Sequence, residues 1–104
     1  MYGRLIEVEG VDASTREESE ATIRDRVIPA LKGIDGFAGF IFLVDEEGGR
    51  ARSIALWETQ EAAEEAERQI KATREEVVRN SGGAIRSADL FEAPIVDVLS
   101  GVRA

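Results

Sequence analysis

The chain contains neither histidine nor cysteine. Those are the side chains that most often carry acid–base, nucleophilic and transition-metal chemistry near neutral pH. Their absence removes a Ser-His-Asp arrangement, a thiol nucleophile, thiolate zinc and histidine-ligated haem. The acids show no D-x-D-x-D-G loop spacing, so no metal site is expected. What remains for chemistry is a short set. Trp57 offers a flat face for stacking an aromatic ligand, though a core position where a strand meets a helix is the simpler reading. Arg24 lies at the edge of a helix stripe and suits an anionic ligand, or else a solvent-facing pair with Glu20. Phe42 reads as a pocket wall or as core. Tyr2 is a phenol donor for a pocket mouth, unless it sits on a frayed terminus. Glu7 and Glu9 share one strand face and become candidate bases only if buried. No catalytic residue is assigned; Trp57, Arg24, Phe42 and Tyr2 are the candidate substrate-binding residues.

The elements that must position these groups follow from periodicity. Arg4 to Glu9 reads as a strand, with Arg4, Ile6 and Val8 on one face and Leu5, Glu7 and Glu9 on the other. Ser14 with Glu17 three residues on fits a capping box. The helix after it carries Ile23, Val27, Ala30 and Leu31 at offsets of three and four. Pro29 lies inside that pattern and predicts a kink near residues 25–28. Gly36 to Glu46 is a second strand. By simple alternation Phe37, Ile41 and Leu43 face one way, and Ala38, Phe40, Phe42 and Val44 the other. Gly39 inside it suggests a bulge. Gly48-Gly49 turns the chain into a third strand, Arg52 to Glu58.

Thr59 caps a second helix with the stripe Ala63, Ala66, Ile70, Thr73 and Val77, and with Glu64–Arg68, Glu67–Lys71 and Glu75–Arg79 on its outer face. A last strand is expected over about Asp89 to Leu99, with Pro94 marking an edge or bulge. The order is β-α-β-β-α-β, an α+β, ferredoxin-like four-stranded antiparallel sheet with two helices on one face. The second strand, apolar on both faces, must be covered on both, so the open face implies a second copy.

The 104 residues form one domain, 1–104, and the apolar fraction of 43% is ordinary for a globular chain. Thirteen Lys and Arg against 21 Asp and Glu give a net charge of −8, which opposes nucleic acid and anionic membrane as partners. No apolar run approaches a membrane span, no secretory leader is read at the N-terminus, and a cytoplasmic location is expected.

From Gly33-Ile34-Asp35-Gly36-Phe37 to Leu56-Trp57-Glu58-Thr59 the chain resembles the dimeric α+β barrel superfamily, in its antibiotic biosynthesis monooxygenase-like branch. The resemblance implies a homodimer through sheet faces and a cavity between helices and sheet. It further implies a cofactor-independent monooxygenase-like activity on a small hydrophobic aromatic metabolite, with no resident cofactor. The haem-degrading members of this group use a helix-two histidine and a strand-one asparagine. Neither is present here, so that activity is not expected. The alternative is a non-catalytic homodimeric module that binds a small molecule or serves as an accessory subunit.

Overall fold

A computed structural model describes residues 1–99 of the chain. Residues 100–104 of the expected single-domain span lie outside the described residues. The elements run β1 (Tyr2–Glu9), a 3₁₀ turn (Ala13–Thr15), α1 (Arg16–Thr22), a π turn (Ile23–Val27), α2 (Ile28–Lys32), β2 (Phe37–Asp45), β3 (Arg50–Trp57), α3 (Gln60–Asn80) and β4 (Ala84–Glu92). The strands pair in the order β2-β3-β1-β4, every pair antiparallel. This is the ferredoxin-like α+β arrangement, with the helices on one face of the sheet.

The kink expected at Pro29 takes the form of the π turn. Ile28 donates its N–H to the Ile23 carbonyl, five residues back, and Pro29 opens α2 immediately afterwards. Proline has no N–H for the regular ladder and its ring collides with the carbonyl four residues earlier, so the chain widens there. The widening also serves packing. Ile23, Val27 and Leu31 are four apart, and on a regular helix each step of four drifts by about 40°. All three pack on one core, with Val27 and Leu31 buried.

Four expectations are corrected. Ser14 does not cap the first helix. Asp12 does the capping, accepting from the Ser14 N–H at 2.9 Å and the Ser14 hydroxyl at 2.8 Å, because the chain enters through a 3₁₀ turn that places the acid first. The last strand is Ala84–Glu92, not a segment running to Leu99. Its pairing with β1 starts at Glu9↔Ala84, and after Ala93 donates to the Met1 carbonyl at 2.8 Å the ladder ends ahead of Pro94. Simple alternation fails in β2. The register shifts between Phe37 and Gly39, so Phe37 pairs with Trp57 and joins Phe40 and Phe42 on the helix face. Finally, Glu67 is not an outer-face partner of Lys71; it turns inward, as described below.

Trp57 anchors the main core at 1% exposure, with Phe37 edge-to-face at a centroid distance of 5.5 Å. Burying an indole of this size is worth roughly 4–6 kcal/mol of transfer free energy. α3 lies close on the sheet because its contact residues are small: Ala63 and Ala66 are both buried. Thr59 caps it, accepting from the Ala62 N–H at 3.1 Å. The approach is tight at Gly36, whose φ is +90° and where a Cβ would lie 2.7 Å from that of Ala62.

Candidate functional site

The helices do not seal completely onto the sheet. Between them lies a cavity of about 100 Å³, walled by Ile6 and Val8 of β1, Phe40 and Phe42 of β2, Ala55 and Trp57 of β3, Ile23, Val27 and Leu31 of the kinked helix, and Ala63, Ala66 and Ile70 of α3. A second chamber of about 60 Å³ adjoins it toward Val11, Ser19 and Ser81. Phe42, Ala51, Val77 and Val78 line both chambers. The small residues Ala51, Ala55, Ala63 and Ala66 leave this room; larger side chains there would fill it.

Five of the larger cavity's lining residues are polar or charged: Arg52 and Ser53 of β3, and a cluster of Arg4, Glu67 and Arg74. Arg4 comes from β1, and Glu67 and Arg74 lie two turns apart on α3. Arg74 grips Glu67 with both terminal nitrogens, Nη1 reaching Oε1 at 2.9 Å. Arg4 Nε lies 3.6 Å from the same Oε1, and Arg4 Nη1 reaches toward the Ala88 carbonyl at 3.5 Å. The side chains of Arg4 and Arg74 are only 15% and 14% exposed. The hydrogen bonds from Arg74 hold the Glu67 carboxyl below the usual glutamate range, against the opposing pull of burial, and the charges of Arg74, Arg4 and Lys71 assist. Nε of Arg4 and Nε of Arg74 are buried and donate to nothing.

The structure brings Trp57 and Phe42 to the cavity wall. Arg24 is not among the lining residues. It projects to solvent with its side chain 67% exposed and lies 3.8 Å from Glu20, the i,i+4 pairing that its spacing also offered. Tyr2 is held in β1, paired with Trp57 and Glu92, and is likewise absent from the cavity lining. Glu7 and Glu9 stay on the outer sheet face, bound to Arg52 at 3.2 Å each. Sequence reasoning missed Arg4, Glu67 and Arg74 as a group. A signal existed: acid and base seven residues apart flank Ile70 on the same side of α3.

Among the described residues no cluster of His, Cys, Asp or Glu could hold a metal ion, and no helix is long and apolar enough to cross a membrane.

The arrangement places the chain in a class defined by its fold. It resembles SnoaB, a cofactor-independent oxygenase from Streptomyces nogalater, with a TM-score of 0.67 and 17% identity over 91% of this chain and 95% of that one. HapK from Hahella chejuensis superposes with a TM-score of 0.73 at 7% identity, over 97% and 100% of the two chains. The haem degrader MhuD from Mycobacterium tuberculosis gives 0.67 at 24% identity, over 94% and 99%. The chain thus has the ferredoxin-like α+β fold of these antibiotic biosynthesis monooxygenase-like structures.

In sequence it is similar to two uncharacterized proteins of Mycobacterium tuberculosis. It is 40% identical to Rv2557 over 63 residues, 61% of this chain and 28% of that protein. It is 33% identical to Rv2558 over 86 residues, 83% and 36% respectively. The chain therefore spans about a third of the length of these relatives. No protein-family model matches it.

Proposed function

We propose that this protein is a homodimeric, cofactor-independent monooxygenase-like protein acting on a small hydrophobic aromatic metabolite in the cytoplasm, with residues 1–104 forming one antibiotic biosynthesis monooxygenase-like α+β barrel domain. The observation that carries this is the cavity between helices and sheet, walled largely by apolar and aromatic side chains, Trp57, Phe40 and Phe42 among them, with a charged corner at Arg4, Glu67 and Arg74. An apolar cavity of about 150 Å³ takes up benzene, and the two adjoining chambers together are of that order, so an aromatic ring is the fitting occupant. The fold shared with a cofactor-independent oxygenase supports the reaction class. In such a reaction the electron-rich substrate is itself the reductant of dioxygen, and the protein's task is to bind and orient it. The second copy would cover the outer sheet face, where Ile41, Leu43 and Phe91 are 42%, 50% and 53% exposed.

One observation favours a second reading, a binding module without turnover. The carboxylates that the cavities contain and whose acidity is shifted, Glu67 and Asp45, are both gripped by arginine and held below the usual range. A general base works best with a pKa near the operating pH.

Oxygen uptake with a panel of polycyclic phenols separates the two. The expected result is protein-dependent uptake that yields oxidised product. Phe42→Trp, which fills the cavity, should abolish it while leaving the melting temperature intact. A melting-temperature rise with phenols but no oxygen uptake would establish the binding module instead.

A further inference from the structure

The corner of the cavity formed by Arg4, Glu67 and Arg74 holds two positive charges against one negative charge. The side chains of the two arginines are only 15% and 14% exposed. Burying an uncompensated charge in a low-dielectric wall is unfavourable, and buried polar groups are ordinarily satisfied. Here the shortfall is specific. Glu67 spends both oxygens on Arg74, its contact with Arg4 Nε is an ion pair at 3.6 Å and not a hydrogen bond, and the Nε atoms of both arginines have no acceptor. Lys71 adds to the positive charge acting on Glu67. The whole chain carries a net charge of −8, so this excess is local and opposite in sign to the molecule around it.

The neighbouring wall is apolar and aromatic: Trp57, Phe40 and Phe42. A neutral hydrocarbon would leave the arginines as they are. A water would supply an acceptor but no charge. An aromatic ring carrying one oxyanion would answer both the charge and the missing acceptor while its ring fills the apolar part. Guanidinium suits such a group because its N–H donors are planar and match a carboxylate's two oxygens.

We propose that Arg4 and Arg74 form an anion-recognition site in the cavity wall, and that the natural ligand is a planar aromatic molecule bearing a single delocalised oxyanion, a carboxylate or a phenolate. Glu67 then acts as a positioning residue that orders Arg74 and competes with the ligand for it. This rests on the reading of the cavity as a ligand site.

The test is calorimetric titration of the intact protein with naphthoate and with naphthalenemethanol of the same substitution, which differ in charge at nearly equal shape. Naphthoate should bind about tenfold tighter or more, the scale of a charge-assisted bond over a neutral one. Arg74→Gln and Arg4→Gln should each remove most of that preference and leave the alcohol's affinity as it was. Glu67→Gln should move the other way and strengthen naphthoate alone by severalfold; it keeps both arginines, and so reports even where an arginine variant fails to fold. Equal affinity of the two probes, or a preference untouched by these substitutions, overturns the anion site while the cavity reading survives. Binding of neither probe overturns the cavity reading and the anion site with it. Naphtholate, titrated above the naphthol pKa, tells whether a phenolate is accepted as well as a carboxylate.

Discussion

The two faces of the sheet handle charge in opposite ways. On the outer face Arg52 lies between Glu7 and Glu9 at 3.2 Å from each, and Arg86 lies 3.8 Å from Glu9. Ser87 donates its hydroxyl to Glu7 at 2.7 Å. Two arginines meet two carboxylates, and the group is balanced. On the helix face two arginines meet one carboxylate, and two Nε donors have no acceptor. Water reaches the outer cluster, where such pairs contribute little. The inner cluster is walled by hydrophobic side chains, where an unanswered donor is costly. A balanced group in a wet place needs no function to explain it; an unbalanced group in a dry place does.

The sharpest break in this contrast should come from the apolar part of the inner face. Trp57→Ala removes the most deeply buried large side chain, and urea or thermal unfolding should show a loss of about 3–5 kcal/mol.

Next come the two carboxylates. Glu67→Gln leaves Arg74 without its charged partner and should cost about 1–3 kcal/mol by denaturant melts, while Glu7→Gln on the solvent-screened outer face should change the melts much less. Both carboxyls titrate below the usual range, Glu67 through the hydrogen bonds of Arg74 and Glu7 first through the hydroxyl of Ser87. Each therefore contributes stability that is fully present above the unfolded-state pKa and is lost as pH falls through the lowered folded value. Stability followed by melts from neutral pH into the acid range should lose part of its acid slope in both variants, and more of it in Glu67→Gln than in Glu7→Gln, whose partners are screened by solvent. Equal slopes for the two variants would erase the distinction between the faces.

Leu43→Asp should also affect the fold only slightly. The side chain is half exposed, so monomer stability should shift by no more than about 0.5 kcal/mol. The same change places a charge on the face assigned to the second copy, and sedimentation should then give a lone subunit at micromolar concentration. An unchanged sedimentation coefficient would move the interface elsewhere.

How legible was this in the sequence? The element order and the helix stripes were, because Ala63, Ala66 and Ile70 recur at helical spacing and Trp57-Glu58-Thr59 marks the change from period two to period 3.6. Trp57 could be singled out by type alone. The placement of Phe37 could not be read, since it depends on a bulge at the Phe37–Gly39 step that reverses which residues share a face. Arg24 sits at the edge of the helix stripe, where spacing alone suits both a ligand contact and a solvent-facing pair with Glu20, and only the fold shows its side chain outside the cavity lining. The Arg4–Glu67–Arg74 corner joins residues more than sixty positions apart. A periodicity argument sees Arg4 only as the polar member of a strand face, and Glu67 only as one of several acids four residues before a base.

The wide turn at Ile23–Val27 has a consequence for alignment. It is equivalent to one residue inserted into a helix, a phase change of about 100°. A protein of the same shape whose first helix is regular can be matched to this one only by opening a one-residue gap in that turn. Ungapped comparison across the segment sets lining residues of one molecule against solvent-facing residues of the other, so identity there falls even where the two backbones coincide.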